Sequence, residues 1–186
     1  MEWKGRQPIW CGRGTSQQRS VMDSQRMDDI AVRAPVNADE EAIAEVHALA
    51  IADLRKVYRP NEKAFDNLSR ISSSLTPLVA TKGERVVGTV QLRVEDDRYF
   101  VTALSVHPAH RRQGVARALV DAIAKIAGSA GSRCVALHTV KETGNVAVFD
   151  RLGFQTVEES EEDFFESDLY DVLTNVYMER PLCAEC

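Results

Sequence analysis

One stretch narrows the choice of folds more than any other. From Arg98 the chain runs apolar to Val106, meets Pro108, crosses a basic loop through Arg111, Arg112, Gln113 and Gly114, and enters a helix-patterned segment at Val115. Val115, Leu119, Val120, Ile123 and Ile126 recur at helical spacing to about Ala127, and Arg133 to Val140 then reads as a buried strand. A strand, a helix and a second strand in direct succession call for an α/β sheet crossed by a helix.

The flanking segments fill in that sheet. Ile30 to Arg33 alternates as a short strand. Asn37 followed by Glu40 resembles a capping box, and Ile43, Val46, Leu49, Leu54 and Val57 mark one face of a helix towards Tyr58. Pro60-Asn61 stops it; a second short helix is expected over Glu62 to Ile71, and a loop from Ser72 to Pro77. Leu78–Thr81 and Arg85–Val94 form a hairpin about Lys82-Gly83-Glu84, and Glu95-Asp96-Asp97 turns the chain into the run from Arg98. Asn145 to Leu152 reads as a short helix, with strands at Phe154–Val157 and Leu173–Met178. The order β-α-α-β-β-β-α-β-α-β-β makes a mixed sheet, antiparallel early, in one domain over residues 28–186, behind a basic extension at 1–27.

Composition sets limits on partners. A net charge of −5 over 186 residues argues against nucleic acid, and no apolar run reaches the 18 or so residues of a membrane span. Cys11, Cys134, Cys183 and Cys186 show no framework spacing; Cys183-x-x-Cys186 lacks a second pair, so no metal is expected, and a reduced, cytoplasmic setting fits. Pro8-Ile9-Trp10-Cys11 is too short for the core of a signal peptide. From Glu158 to Asp171 eight of fourteen residues are acidic and none is basic, either a solvated loop or edge or an acidic rim facing a cationic substrate.

The loop carries the chemistry. The first N–H groups of a helix have no internal acceptor and lie at the positive end of its dipole. Gly114 admits a ligand close to the backbone, small Ala116 keeps the approach clear, and Arg111 and Arg112 add positive charge. Together they form a pyrophosphate cradle. No Gly-Lys-Ser/Thr follows, as a Walker loop requires, and the three spaced glycines of a Rossmann turn are missing.

Arg111-x-x-Gly114-x-Ala116 after an apolar strand resembles the Arg/Gln-x-x-Gly-x-Gly/Ala signature of the GNAT superfamily of acetyl-CoA-dependent N-acetyltransferases. Leu152-Gly153-Phe154 resembles that family's Leu-Gly-Phe ending, and the element order from Ile30 to Met178 is similar throughout. The resemblance implies a mixed, mostly antiparallel sheet flanked by helices, whose fourth and fifth strands, here Arg98–Val106 and Arg133–Val140, splay around CoA. It implies pantetheine pairing at Leu104 and Val106, pyrophosphate on the amides of Gln113, Gly114, Val115 and Ala116, and an oxyanion donor in the Val106 N–H. Asn145 matches a region that often contacts CoA, and reads equally as a helix cap. The acceptor would be a small-molecule or protein amine, and a homodimer is open.

Two positions depart from that pattern. The family's frequent acid, a tyrosine four residues before the glycine of Gly-Phe, is Phe149 here, leaving that ring to wall the pantetheine channel. The carboxylate base of the histone-type branch would align near Phe100. His138 and Glu142, at the end of the strand bordering the gap, are substitute candidates, although His138 falls in an apolar run and could point into the packing. His107 and His110 read as surface groups. Phe149 and Phe100 also keep open a non-catalytic CoA-binding sensor or interaction module.

Overall fold

The computed structural model describes residues 30–64, 75–95 and 98–182. Seven strands form one sheet in the order β1-β3-β4-β5-β6-β9-β7. They are β1 (Ile30–Arg33), β3 (Leu75–Lys82), β4 (Arg85–Glu95), β5 (Arg98–Val106), β6 (Cys134–Val140), β7 (Gln155–Glu161) and β9 (Thr174–Pro181). A separate ribbon pairs β2 (Arg59–Pro60) with β8 (Phe165–Glu166). Every neighbour in the main sheet is antiparallel except β5 and β6, which are parallel and joined through a helix, as a parallel pair requires.

Side-chain alternation divides the core between the two faces. Helix α1 (Glu40–Leu54) lays Val46 over Val79 and Val86 on one face. Helix α2 (Val115–Ser129) covers the other, where Leu119, Val120 and Ile123 are fully buried against Val87, Val90, Leu137 and Met178. Burying each of the larger aliphatics contributes about 1.5–3 kcal/mol. The last inward residue of α2 is Ala127, fully buried, whereas Ile126 is 40% exposed. The buried positions of α2 centre near Ile123, and at about 100° per residue Ala127 lies about 40° from that centre and Ile126 about 60°, on the flank.

Several local expectations shift. The turn before α1 is capped by Asp39 and not Asn37: its Oδ2 accepts the Val36 N–H at 2.8 Å, while Arg33 grips both carboxylate oxygens at 2.6 and 3.0 Å. Pro77 lies within β3, opposite Gln91, not in a loop. There β3 runs beyond β1, whose pairing covers only Val79 to Lys82, so the missing N–H of proline faces no partner strand. The acidic segment opens as strand β7, exposed along its whole length, and charges on an edge strand discourage pairing with another chain. Most of the helix expected over Glu62 to Ile71, the extension at 1–27, and Cys11, Cys183 and Cys186 lie outside the described residues. Among the described residues no helix is long and apolar enough to cross a membrane.

Candidate functional site

The ladder between β5 and β6 stops almost as soon as it starts. Only Tyr99 pairs with Val135 and Phe100 with Ala136; from Val101 and Leu137 onward the facing edges share no pairing. On its other side β5 bulges against β4 between Thr89 and Gln91, and Ala103 adopts φ +48°, a left-handed conformation that costs a non-glycine residue energy. Beyond the bulge the His107 N–H donates to Val87 O of β4 at 3.0 Å. Successive N–H groups along a strand point to opposite sides, so the Val106 N–H points away from β4, towards the unpaired edge of β6. By the same alternation Leu104 presents its backbone to that edge.

The chain then turns into the cradle. Pro108–His110 is a single 3₁₀ turn whose first N–H, from Ala109, donates to His107 Nδ1 at 3.2 Å. Arg112 (φ +61°) and Gly114 (φ +90°) both take left-handed backbone conformations on either side of Gln113, a turn geometry that gathers N–H groups into a concavity. The Gln113 side chain donates back to Ala109 O at 3.0 Å and holds the loop closed. The Ala118 N–H is the first in α2 to bond backwards, to Gly114 O at 2.9 Å, so Val115, Ala116 and Arg117 have no intrahelical acceptor. A phosphate group fits these free amides and the helix's positive end.

The neighbouring side chains serve different ends. Val115 is buried and packs onto Gly88, so it offers only its N–H. Arg111 pairs with Asp53 of α1 at 2.9 Å, and Arg117, unnoticed in the sequence, donates to Arg151 O at 2.6 Å. One arginine thus ties the cradle to α1 and the other to helix α3 (Val146–Arg151). Arg112 stays exposed and takes part in no ion pair among the described residues. His110 is half-buried, its ring edge-on to His107 at 5.5 Å; burial, then Arg85, lowers its pKa, so it adds no charge to the loop near neutral pH.

Leu104, Val106, Ala116, Val146 and Phe149 form a half-buried apolar rim on the main core. Phe149 stands edge-on to Phe154 at 5.8 Å and has no proton to give. Asn145 occupies the cap position of α3, yet its side chain makes no cap hydrogen bond.

The two substitute candidates separate. Glu142 accepts the Thr174 N–H on both oxygens, at 3.2 and 3.1 Å, which anchors the start of β9. His138 is exposed, not turned into the packing: it stacks on Phe100 at 6.1 Å, tilts against Tyr177 at 5.0 Å, and sets Nδ1 3.2 Å from the Asn175 side chain. Burial, then the hydrogen bond to Glu179, pushes the Tyr177 hydroxyl up to about 12, so it stays protonated.

A second histidine escaped the sequence reading. His47 of α1 is half-buried with Nδ1 3.2 Å from the Oγ of buried Ser105, on the β5 rim of the unpaired edge. Its spacing of four from Ile43 places it on the helix's apolar face, the available signal, but Ser105 lies 58 residues away.

A family model described as the Acetyltransferase (GNAT) family matches residues 43–154. The chain belongs to the GNAT acetyltransferase family. Acetyl-CoA is accordingly its acyl donor, and the cradle and free strand edge described above fit that donor. Among solved structures, this GNAT chain resembles the Escherichia coli ribosomal-protein-S18-alanine N-acetyltransferase with a TM-score of 0.63 at 18% identity, covering 82% of this chain and 94% of that one. The PaiA N-acetyltransferase of Thermoplasma acidophilum, in complex with coenzyme A, gives 0.61 at 16% identity, over 82% and 98%. A nourseothricin acetyltransferase gives 0.57 at 20%, over 83% and 99%. These likenesses establish the fold alone. Among curated protein sequences none matches.

Proposed function

We propose that this acetyltransferase passes the acetyl group of acetyl-CoA to a primary amine by direct attack. The observation that carries the reading is the Val106 N–H, fixed by the bulge and directed at the unpaired edge of β6. A preorganised donor there stabilises the negative charge that builds on the thioester carbonyl oxygen as nitrogen approaches. Leu104 and Val106 align the pantetheine, Gln113 to Ala116 hold the pyrophosphate, and Phe149 and Val146 exclude water beside the thioester. Phe149 supplies no acid, but a thiol of pKa about 8.5 departs as thiolate near neutral pH at a cost of only about 1–2 kcal/mol. Direct attack is favoured over an intermediate on Cys134, the one cysteine among the described residues, because it lies at the far end of β6 and burial raises its thiol pKa.

Charge supports a cationic acceptor. Of the eight carboxylates between Glu158 and Asp171, Glu159, Asp163, Glu166 and Asp168 are paired with Lys141, Lys63 and, for the last two, Arg59. Three cations thus offset three of the rim's eight negative charges. Glu158, beside Tyr177 on the face that carries His138, is in no ion pair among the described residues and is placed to attract an ammonium group. A panel of cationic and neutral amines with acetyl-CoA, read by thiol release, tests the activity; cationic amines should be preferred, with KM rising as salt screens Glu158. Gly114→Glu puts a carboxylate and a strained side chain into the cradle and should abolish both turnover and the rise in Tm that CoA induces. Equal CoA-induced shifts in wild type and variant would remove the cradle from the reading.

A further inference from the structure

The sheet face bearing α1 holds two imidazoles, one on each rim of the unpaired edge, and their hydrogen bonds differ. Ser105 follows the bulge, between Leu104 and Val106, whose backbones face the opening. Its Oγ lies 3.4 Å from Ala103 O, a carbonyl turned by the left-handed φ of that residue, and 3.2 Å from His47 Nδ1. A carbonyl can only accept, so the serine proton goes to Ala103 O. The oxygen of Ser105 must then accept from Nδ1–H of His47. That arrangement selects one neutral tautomer, with the proton on Nδ1 and a lone pair on Nε2. Nε2 makes no hydrogen bond among the described residues. His138, by contrast, faces an amide that offers Nδ1 both a donor and an acceptor, so its tautomer is not fixed.

We propose that His47 accepts the proton of the attacking amine at Nε2 and that Ser105 is the positioning residue that holds its imidazole in the competent tautomer. The inference rests on the acetyl-transfer reading above. The amine nitrogen forms the new C–N bond, the electron pair of the C–S bond leaves on sulfur, and the surplus amine proton passes to Nε2 and then to bulk water. The environment keeps the base neutral: burial, then the charge of Arg55, lowers the pKa of His47. Of the other charges near α1, Asp53 is already shared by Lys56 and Arg111, and Arg93, Glu95 and Arg98 stand at the opposite end of the β4–β5 ladder. No carboxylate among them faces the imidazole to hold it protonated.

The test uses the full chain, saturating acetyl-CoA and the best amine of the panel. His47→Ala removes the base, and His47→Gln keeps a donor for Ser105 while removing the basic nitrogen. Both should lower kcat by about 10²-fold, the lower end of general-base contributions, with the KM for acetyl-CoA and the CoA-induced Tm rise unchanged. The acid limb of the kcat–pH profile should vanish, and added imidazole should restore turnover to His47→Ala alone. Ser105→Ala should lower kcat less and leave that limb in place. Wild-type kcat and an intact acid limb in both His47 variants would overturn the inference while leaving the acetyl-transfer reading standing. A wild type that binds CoA but acetylates no amine would overturn both.

Discussion

Gly88 is the seat on which the cradle rests, and enlarging it by one carbon should move the site without touching it. A Cβ built there would lie 2.6 Å from Val115 Cγ1, 3.2 Å from Leu119 Cδ1 and 3.2 Å from Ser105 O. The first distance is far inside van der Waals contact, and neither partner can yield freely: Val115 is 2% exposed and Leu119 fully buried. Overpacking a core of this kind costs about 1–3 kcal/mol, offset by about 0.4–1 kcal/mol from the lower backbone entropy of alanine in the unfolded chain. Gly88→Ala should therefore destabilise the apo protein by about 1–2 kcal/mol, or about 2–8 °C in Tm for a chain of this size. Because the displaced turn carries the free amides of Val115 and Ala116, the Tm rise induced by CoA should shrink as well. Val115→Ala alone should also be destabilising, since it empties buried volume. The double variant should be more stable than the sum of the two losses, because the new methyl group occupies the space that the old one left, and such coupling between touching residues is about 0.5–3 kcal/mol. Urea unfolding of all four proteins closes the cycle. An additive double variant, or a Gly88→Ala protein with wild-type stability and CoA response, would refute the packing argument.

Two further outcomes follow from the geometry. Phe149→Tyr should retain CoA binding and raise turnover at low pH, where thiolate departure is least favourable; Phe149→Ala should cost about 2 kcal/mol by urea unfolding, less than a fully buried ring, and weaken CoA binding. The Arg33 hydrogen bonds, then the Val36 N–H, hold the Asp39 carboxyl at about 2, below its ordinary 3.8, so the stability it contributes is present above pH 4 and lost as pH falls towards 2. Asp39→Asn should accordingly be less stable than wild type at pH 7 in thermal melts, with the gap closing on acidification through that window.

The legible parts of this protein were those whose cause is local. β5, its basic turn and α2 follow one another within about thirty residues, and hydrophobic period, Pro108 and Gly114 mark every boundary. The hairpin at Gly83 was equally plain, as its turn is left-handed at φ +59°. Errors arose where a distant partner decides. Pro77 is tolerated in a strand only because β1 is short, a fact of sheet order. The acidic segment looked uncompensated because Arg59 and Lys63 stand roughly a hundred residues earlier. His47 looked like one more helix residue until the fold brought Ser105 beneath it. Even the cradle's arginines changed meaning: Arg111 fastens the loop to α1, and the exposed charge is left to Arg112.

The small ribbon of β2 and β8 joins two segments that would otherwise be treated as independent loops. Tyr58 packs on Phe165 at 4.6 Å, Asn61 donates from its backbone to Phe164 O at 3.0 Å and from its side chain to Asp163 O at 2.8 Å, and Arg59 spans Glu166 and Asp168. For anyone grafting loops between relatives to change what this scaffold accepts, 55–64 and 162–173 are a single transferable cassette. Moving the later segment alone would strand Arg59 opposite foreign residues and expose the Tyr58 ring, so a chimera built from one half would inherit an open seam, not a new specificity.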